Sequence, residues 1–212
     1  MRVPARVSRR WAPTIMALAL AGCGSLFGGG QPPQLYRITP VRAFPPDLPR
    51  RPVQLLIDPP LAPAGLDTSR IALSRSAVSI EYFADSEWTD RVPLLVQTAL
   101  LESFENSKTV NAIERESAGL GADLILKTDI RHFEAVYDSS QGTPIVSVAI
   151  MARLVNPTGR DIIAQNTFER REQASENQVP AIIVAFDQAL GGVIEDIVVW
   201  TARNPALSSS RD

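Results

Sequence analysis

Few residues in this 212-residue chain can do covalent or metal chemistry: it contains one cysteine, Cys23, and one histidine, His132. One cysteine cannot form a disulfide within the chain, and a Cys/His zinc site needs more ligands than two side chains supply. The sequence lacks both the Gly-x-Ser-x-Gly elbow of serine hydrolases and the Gly-x-x-x-x-Gly-Lys-Ser/Thr loop that cradles phosphates. We therefore predict a protein that is not an enzyme and binds no metal or cofactor, with His132 packed in a sheet or at its rim.

The cysteine follows a segment with the features of an export signal. Four arginines precede an apolar run over residues 15–21, and no acidic residue occurs before Asp47. The run is too short to span a bilayer, because a membrane-spanning helix needs about 20 apolar residues. A basic region followed by a short apolar region is typical of a secretory signal peptide, so residues 1–22 are predicted to be removed.

The end of this leader, Leu20-Ala21-Gly22-Cys23, resembles the lipobox of bacterial lipoproteins. The resemblance implies cleavage between Gly22 and Cys23, diacylglycerol on the Cys23 sulfur, and an acyl chain such as palmitate on the new amino terminus. Several acyl chains are needed for lasting membrane attachment, because one chain alone binds only marginally. Gly24 rather than aspartate follows the cysteine, which favours the outer membrane by the sorting rule of this class. The alternative is a leader that is cleaved elsewhere.

The mature chain divides into three predicted parts. Residues 23–51 are rich in glycine and proline and are interpreted as a tether with a short strand, or alternatively as an ordered coil packed on the body. Residues 52–204 form the periplasmic domain, and residues 205–212 form a polar tail. Loss of the leader arginines makes the body more acidic than the whole chain, whose net charge is −2. Such a body has no basic surface for nucleic acid or for anionic lipid.

The spacing of apolar residues predicts an α+β domain. Strands are predicted over residues 53–58, 70–75, 79–83, 109–113, 123–137, 145–155 and 162–172, and helices over residues 90–104 and 180–200. The residues of the 123–137 strand alternate between apolar and polar, which predicts one buried and one wet face, and the last three strands are expected to form an antiparallel meander. We expect a two-layer domain with a mostly antiparallel sheet and two amphipathic helices packed on one face.

Short motifs between residues 35 and 200, taken in order, resemble those of the ABC-type transport auxiliary lipoproteins, which accompany MCE-domain lipid transport systems of Gram-negative envelopes. The motifs include Leu35-Tyr36-Arg37-Ile38, Pro59-Pro60, Gly65-Leu66-Asp67, Tyr82-Phe83-Ala84, Trp88-Thr89-Asp90-Arg91-Val92-Pro93 and Ile130-Arg131-His132-Phe133-Glu134. The resemblance implies a non-enzymatic lipoprotein, anchored in the outer membrane by its lipid and facing the periplasm. It further implies docking of the MCE-domain protein, so that phospholipid passes between the two membranes.

Two questions about function remain open at this point. A homo-oligomer would match a ring-shaped partner, and the alternative function is a lipid-binding lipoprotein or an assembly chaperone for an outer-membrane protein. Tyr82, Phe83 and Trp88 are candidate partner contacts, because aromatic residues are enriched in interface cores. The alternative, which is the commoner use of such a residue, is that Trp88 packs the start of the first helix against the sheet.

Overall fold

A computed structural model of the protein describes residues 32–115, 121–138 and 142–205. The predicted signal peptide, the cleavage site at Gly22 and Cys23, the start of the predicted tether and most of the tail lie outside the described residues. The strands are β1 (Gln34–Tyr36), β2 (Arg51–Ile57), β3 (Arg70–Ser76), β4 (Ser79–Trp88), β5 (Val110–Arg115), β6 (Leu124–Val136), β7 (Ile145–Asn156) and β8 (Asp161–Gln173). The helices are α1 (Val92–Ser107) and α2 (Val179–Arg203). The predicted α+β class is confirmed, and the predicted helices and strands are present, although β4 continues to Trp88, well beyond its predicted end at residue 83.

Strand β6 occupies the centre of the sheet. One of its edges pairs along almost its whole length with β7, which pairs with β8, so the predicted meander is present. On the other edge, residues 124–126 of β6 pair with β2 and residues 135–136 pair with β3. Strand β5 extends the sheet beyond β2, while β4 and then β1 extend it beyond β3.

The prediction of a mostly antiparallel sheet is wrong, because the sheet is mixed. The pairs β1–β4, β2–β5, β2–β6 and β3–β6 are parallel, and the pairs β3–β4, β6–β7 and β7–β8 are antiparallel. Every antiparallel pair joins strands that are consecutive in the chain, which a short turn can connect. Every parallel pair joins strands that are distant in the chain. Alternating polarity reveals the buried face of a strand but not the direction of its partner.

Each helix begins at a proline-containing first turn and contacts specific strands. Arg91 occupies the cap position of α1, and the preceding Asp90 accepts a hydrogen bond from the Arg91 amide (2.7 Å). Helix α1 contacts β2, β5 and α2, while α2 contacts β7 and β8. That both helices share one face of the sheet stays a prediction. Within the described ranges, neither helix combines the length and apolar character needed to cross a membrane.

A cluster of aromatic side chains forms the centre of the hydrophobic core. Trp88 at the end of β4 lies 5.7 Å from Phe133 of β6 and 5.3 Å from Phe186 of α2, measured between ring centroids, and the two phenyl rings lie 5.0 Å apart. All three side chains are buried. Aromatic pairs at these separations add to the stabilisation that burial alone provides. The cluster therefore joins α2 to β4 and β6.

A β-bulge in β6 changes which side chains face the core. The register shifts between Ile130 and His132, so that Ile130 and Phe133 are both buried although they are three residues apart. A strict alternation along residues 123–137 would place His132 and Val136 on the same face as Ile130. The bulge instead turns His132 to the solvent-exposed face, because one extra residue inverts the alternation beyond it.

Candidate partner-binding surface

The three aromatic residues singled out in the sequence lie on β4 in different environments. Trp88 is 1% exposed and belongs to the core cluster, so packing rather than surface contact describes its position. Tyr82 and Phe83 are half-buried and pack against the edge of the core. As partner contacts, Tyr82 and Phe83 stay predictions.

An irregularity in β4 separates these environments. Ala72 of β3 pairs with Tyr82, but Arg70, two residues earlier, pairs with Glu87, so β4 contains three more residues than β3 between the two pairs. Asp85 lies within this insertion and has a φ of 53°. Aspartate is one of the few residues other than glycine that adopts this left-handed conformation readily. The insertion lets the two halves of β4 face different surroundings.

The first half of β4 forms an exposed hairpin with β3. Ser76 pairs with Ser79, so the turn consists of Ala77 and Val78, and the Val78 side chain is 95% exposed. Ile80 is 40% exposed on the same hairpin. Apolar residues are unusual in tight turns, which favour glycine, asparagine and aspartate. That departure is the sequence signal that could have identified this surface.

Tyr82 is held in place by two polar contacts. Its hydroxyl donates a hydrogen bond to the Gly65 carbonyl oxygen (2.9 Å). The Arg70 guanidinium lies over its ring, 3.6 Å from the ring centroid. One face of the ring is therefore covered by a cation, which is an arrangement stabilised by the ring's quadrupole.

Residues 37–47, here called the strap, follow β1 and lie across both helices. The side of the strap that contacts α2 is held through Thr39, whose amide and hydroxyl donate to the two carboxylate oxygens of Asp187 (2.7 Å each). Ile38 next to it is buried. Asp47 at the end of the strap forms an ion pair with Arg203 of α2 (2.8 Å).

The strap also contacts α1. The Val41 amide donates to the Ser103 hydroxyl (2.9 Å), and the Asn106 side-chain amide donates to the Val41 carbonyl oxygen (2.9 Å). Ser103 is buried and in turn donates to the Ala99 carbonyl oxygen (2.6 Å). Both backbone groups of Val41 are thus satisfied by α1, so the strap is an ordered part of the body.

A groove of about 480 Å³ lies between the strap and α1. Its lining includes buried apolar side chains, among them Ile38 and Leu95. Arg37 and Arg42 line the groove on the strap side. On the opposite side it is lined by Asp90, which lies just before α1, and by Glu102 of α1. The two sides of the groove therefore carry opposite charges.

A second cavity, of about 540 Å³, lies on the polar face of the sheet. It is lined by residues of β3, β6, β7 and β8, including His132, Glu134 and Arg171. His132 is exposed, and its Nδ1 lies 3.3 Å from the Glu134 carboxylate. In the part of the chain that the structure describes, no three or more His, Cys, Asp and Glu side chains are placed to hold a metal ion.

Tyr137 lines this cavity, and its environment shifts the pKa of its phenol. Burial raises the pKa of the Tyr137 phenol above its ordinary value, and the nearby Arg75 guanidinium offsets part of the rise. The hydroxyl donates a hydrogen bond to the Asn177 side-chain oxygen (2.8 Å). This is the environment of a packed structural tyrosine.

Comparison with known proteins gives relatives across most of the chain. An uncharacterized protein of Bradyrhizobium diazoefficiens is 32% identical over 184 residues, which make up 86% of this chain and 49% of that protein. The chain thus spans about half the length of this curated relative. The crystal structure of protein XCC0632 from Xanthomonas campestris, of family DUF330, is similar with a TM-score of 0.75 and 25% identity, covering 80% of this chain and 94% of that one.

A further solved structure shows the fold alone. It is that of an uncharacterized protein, with a TM-score of 0.59 and 14% identity over 79% of this chain and 97% of that one. The family model for the ABC-type transport auxiliary lipoprotein component matches residues 36–198, from the end of β1 to the last turns of α2. The match includes the strap, the hairpin and both helices. The chain belongs to the family of ABC-type transport auxiliary lipoprotein components.

Proposed function

We propose that the protein is a non-enzymatic lipoprotein that docks the periplasmic MCE-domain assembly of an ABC-type lipid transport system to the outer membrane. Residues 1–22 are removed, and Cys23 carries diacylglycerol and an acyl chain. The body faces the periplasm of a Gram-negative bacterium, and phospholipid passes along the docked assembly. Membership in the family of transport auxiliary lipoproteins carries this proposal.

The strap supports an adaptor that stays close to its membrane. β1 and the strap are hydrogen-bonded to the body, and among the described residues the strand pairing starts at Gln34, whose backbone pairs with Ser86. Eleven peptide units separate Cys23 from Gln34, and a fully extended chain of that length spans at most about 40 Å. A tether that continued to residue 51 would have allowed about 100 Å. The proposed anchor therefore holds the body near the bilayer, where a partner must reach it.

Three cavities lined by described residues favour an adaptor over a carrier that encloses lipid. A carrier needs a concave apolar pocket, and such pockets measure roughly 300–1,000 Å³. The apolar cavity beside Leu55 and Ile113 measures about 150 Å³, while the two larger cavities are lined by charged side chains. The aromatic cluster fills the centre of the core. An adaptor, by contrast, needs only a surface patch.

The lipid anchor is tested by expressing the full chain in a Gram-negative host supplied with an alkyne analogue of palmitate. The wild-type chain should take up the label and lose its leader, whereas Cys23→Ala should remain unlabelled and keep it. Ser25→Ala is the matched control and should behave as wild type. Separation of the two membranes by density then locates the labelled protein. Label retained by Cys23→Ala would contradict the proposal.

Docking is tested by co-purification of the full lipoprotein with the MCE-domain protein of the same organism, both solubilised in mild detergent. We expect a stable complex that survives gel filtration. The control is an unrelated outer-membrane lipoprotein, carrying the same tag and purified in parallel. Absence of a complex, together with phospholipid recovered from the purified lipoprotein, would replace the adaptor by the lipid-binding alternative.

A further inference from the structure

We propose that the groove between the strap and α1 binds the headgroup of a zwitterionic phospholipid, with its phosphate against the arginines and its ammonium against the carboxylates. The inference rests on the proposed membrane anchoring, because that anchoring brings the groove near a lipid surface. It adds a substrate-class contact that the docking proposal does not require.

The charged side chains around the groove are segregated by sign. Arg37 and Arg42 are exposed on the strap side, and Glu102 is exposed on α1. Within the described residues, neither arginine is in an ion pair, so both exposed guanidinium groups are available to a ligand. Donors that the protein leaves unused on one side of a groove can form charge-assisted hydrogen bonds with a phosphate.

Positive and negative side chains line the same groove. A purely anionic ligand would bring its charge beside Asp90 and Glu102, and a purely cationic ligand would bring its charge beside the two arginines. A phosphate joined to an ammonium by a short linker can pair with both sides. The zwitterionic headgroup is therefore the ligand whose charges complement this groove.

The size of the groove and its place in the chain also suit a lipid headgroup. The groove volume of about 480 Å³ lies within the range of roughly 300–1,000 Å³ that is typical of small-molecule sites. Half-buried Leu94 lines the groove and supplies apolar surface for the glycerol part of the lipid. Arg37 is fourteen residues from Cys23, so the extended chain places it within about 50 Å of the proposed anchor. The acyl chains would remain outside the groove.

The experiment titrates dihexanoylphosphatidylethanolamine, kept monomeric below its critical micelle concentration, into the full lipoprotein held in amphipol, with calorimetric detection. We expect saturable binding that Arg37→Gln or Arg42→Gln weakens about tenfold or more, as expected for the loss of one hydrogen bond to a charged group. Arg50→Gln is the matched control, since Arg50 is exposed but lies outside the groove lining, and it should bind as wild type.

A second pair of variants tests the ammonium side. Glu102→Gln should weaken binding of the ethanolamine lipid while leaving or improving binding of dihexanoylphosphatidylglycerol, which lacks the ammonium. Glu105→Gln, on an exposed position of the same helix outside the groove, should change neither. Equal binding of soluble phosphoethanolamine would identify a free zwitterion rather than a lipid as the ligand and overturn the proposal.

Two further outcomes would also overturn it. One is absence of saturable lipid binding, and the other is equal weakening by Arg50→Gln. If Arg37→Gln and Arg42→Gln instead abolish co-purification with the MCE-domain protein without any lipid binding, the groove is a protein interface. The lipid titration contains no partner protein, so its failure leaves the docking proposal standing and its success does not depend on docking.

Discussion

The two halves of β4 have opposite surroundings although they belong to one strand. The half that ends at Trp88 is buried, pairs with β1 and contacts α2 through Phe186. The half that begins at Ser79 carries the exposed hairpin turn with Val78 and pairs with β3 alone among the described residues. The left-handed Asp85 lies between them. The strand therefore stabilises the fold at one end and offers an exposed apolar surface at the other.

The largest expected effect is on the buried half. Trp88→Ala should lower the free energy of unfolding by about 3–5 kcal/mol, because it leaves a cavity between Phe133 and Phe186. Urea unfolding of the full lipoprotein measures the change. Trp88→Phe should cost less, since it keeps an aromatic ring and removes an indole N–H that is buried without a hydrogen-bond partner in the described structure. If Phe83→Ala costs as much as Trp88→Ala, the two halves do not differ as described.

The next effect concerns the strap that continues from β1. Asp187→Ala removes both acceptors of the Thr39 hydrogen bonds and should lower stability by about 1–2 kcal/mol. Hydrogen exchange of the Thr39 amide should become faster, as a local readout that global unfolding does not provide. The control is Gln188→Ala, on the exposed neighbouring position of α2. Unchanged exchange at Thr39 would contradict the role assigned to Asp187.

A smaller effect on stability is expected at Tyr137, which lines the cavity on the polar face of the sheet. Tyr137→Phe removes the hydrogen bond to Asn177 and should lower the free energy of unfolding by about 1 kcal/mol at neutral pH. Because the folded-state pKa is raised, the wild-type stability from this group is complete below the unfolded pKa of about 10 and is lost as pH rises through the folded value. The variant should therefore lose stability less steeply above pH 10, in urea unfolding measured over a pH series. Parallel curves for both proteins would contradict this.

The smallest stability effect is expected at the exposed end of the hairpin. Val78→Ser should change the free energy of unfolding by less than about 0.5 kcal/mol, because the side chain is almost entirely in solvent. If the hairpin is the docking surface, the same variant should retain less MCE-domain protein in co-purification. Ile162→Ser, at another exposed apolar position on β8, is the control and should retain the wild-type amount. Unchanged retention by Val78→Ser would remove the hairpin from the interface.

The sequence predicts the helices and strands well because their periodicity is a local property. It cannot supply the parallel pairings, which depend on which distant strands meet. Nor does it reveal the bulge before His132 or the insertion at Asp85, because one displaced residue inverts the alternation without changing composition. The Thr39–Asp187 contact joins residues that are 148 positions apart, so no local pattern marks it. The sequence singles out Tyr82, Phe83 and Trp88 as candidate contacts. It does not single out Val78 and Ile80, which are exposed on the same hairpin.

The strap defines the path by which a mechanical load on the proposed anchor would enter the protein. Tension at the N-terminus would first act on β1, which has only three paired residues with β4, and next on the Thr39–Asp187 hydrogen bonds. The contacts of Val41 with α1 would follow. These contacts transmit the load to α2 and α1 while they are intact, and the load on the helices falls when they open. If the membrane moved relative to a docked partner, these contacts would open first and release the strap. The released strap would lengthen the tether before the helices and strands of the body unfolded.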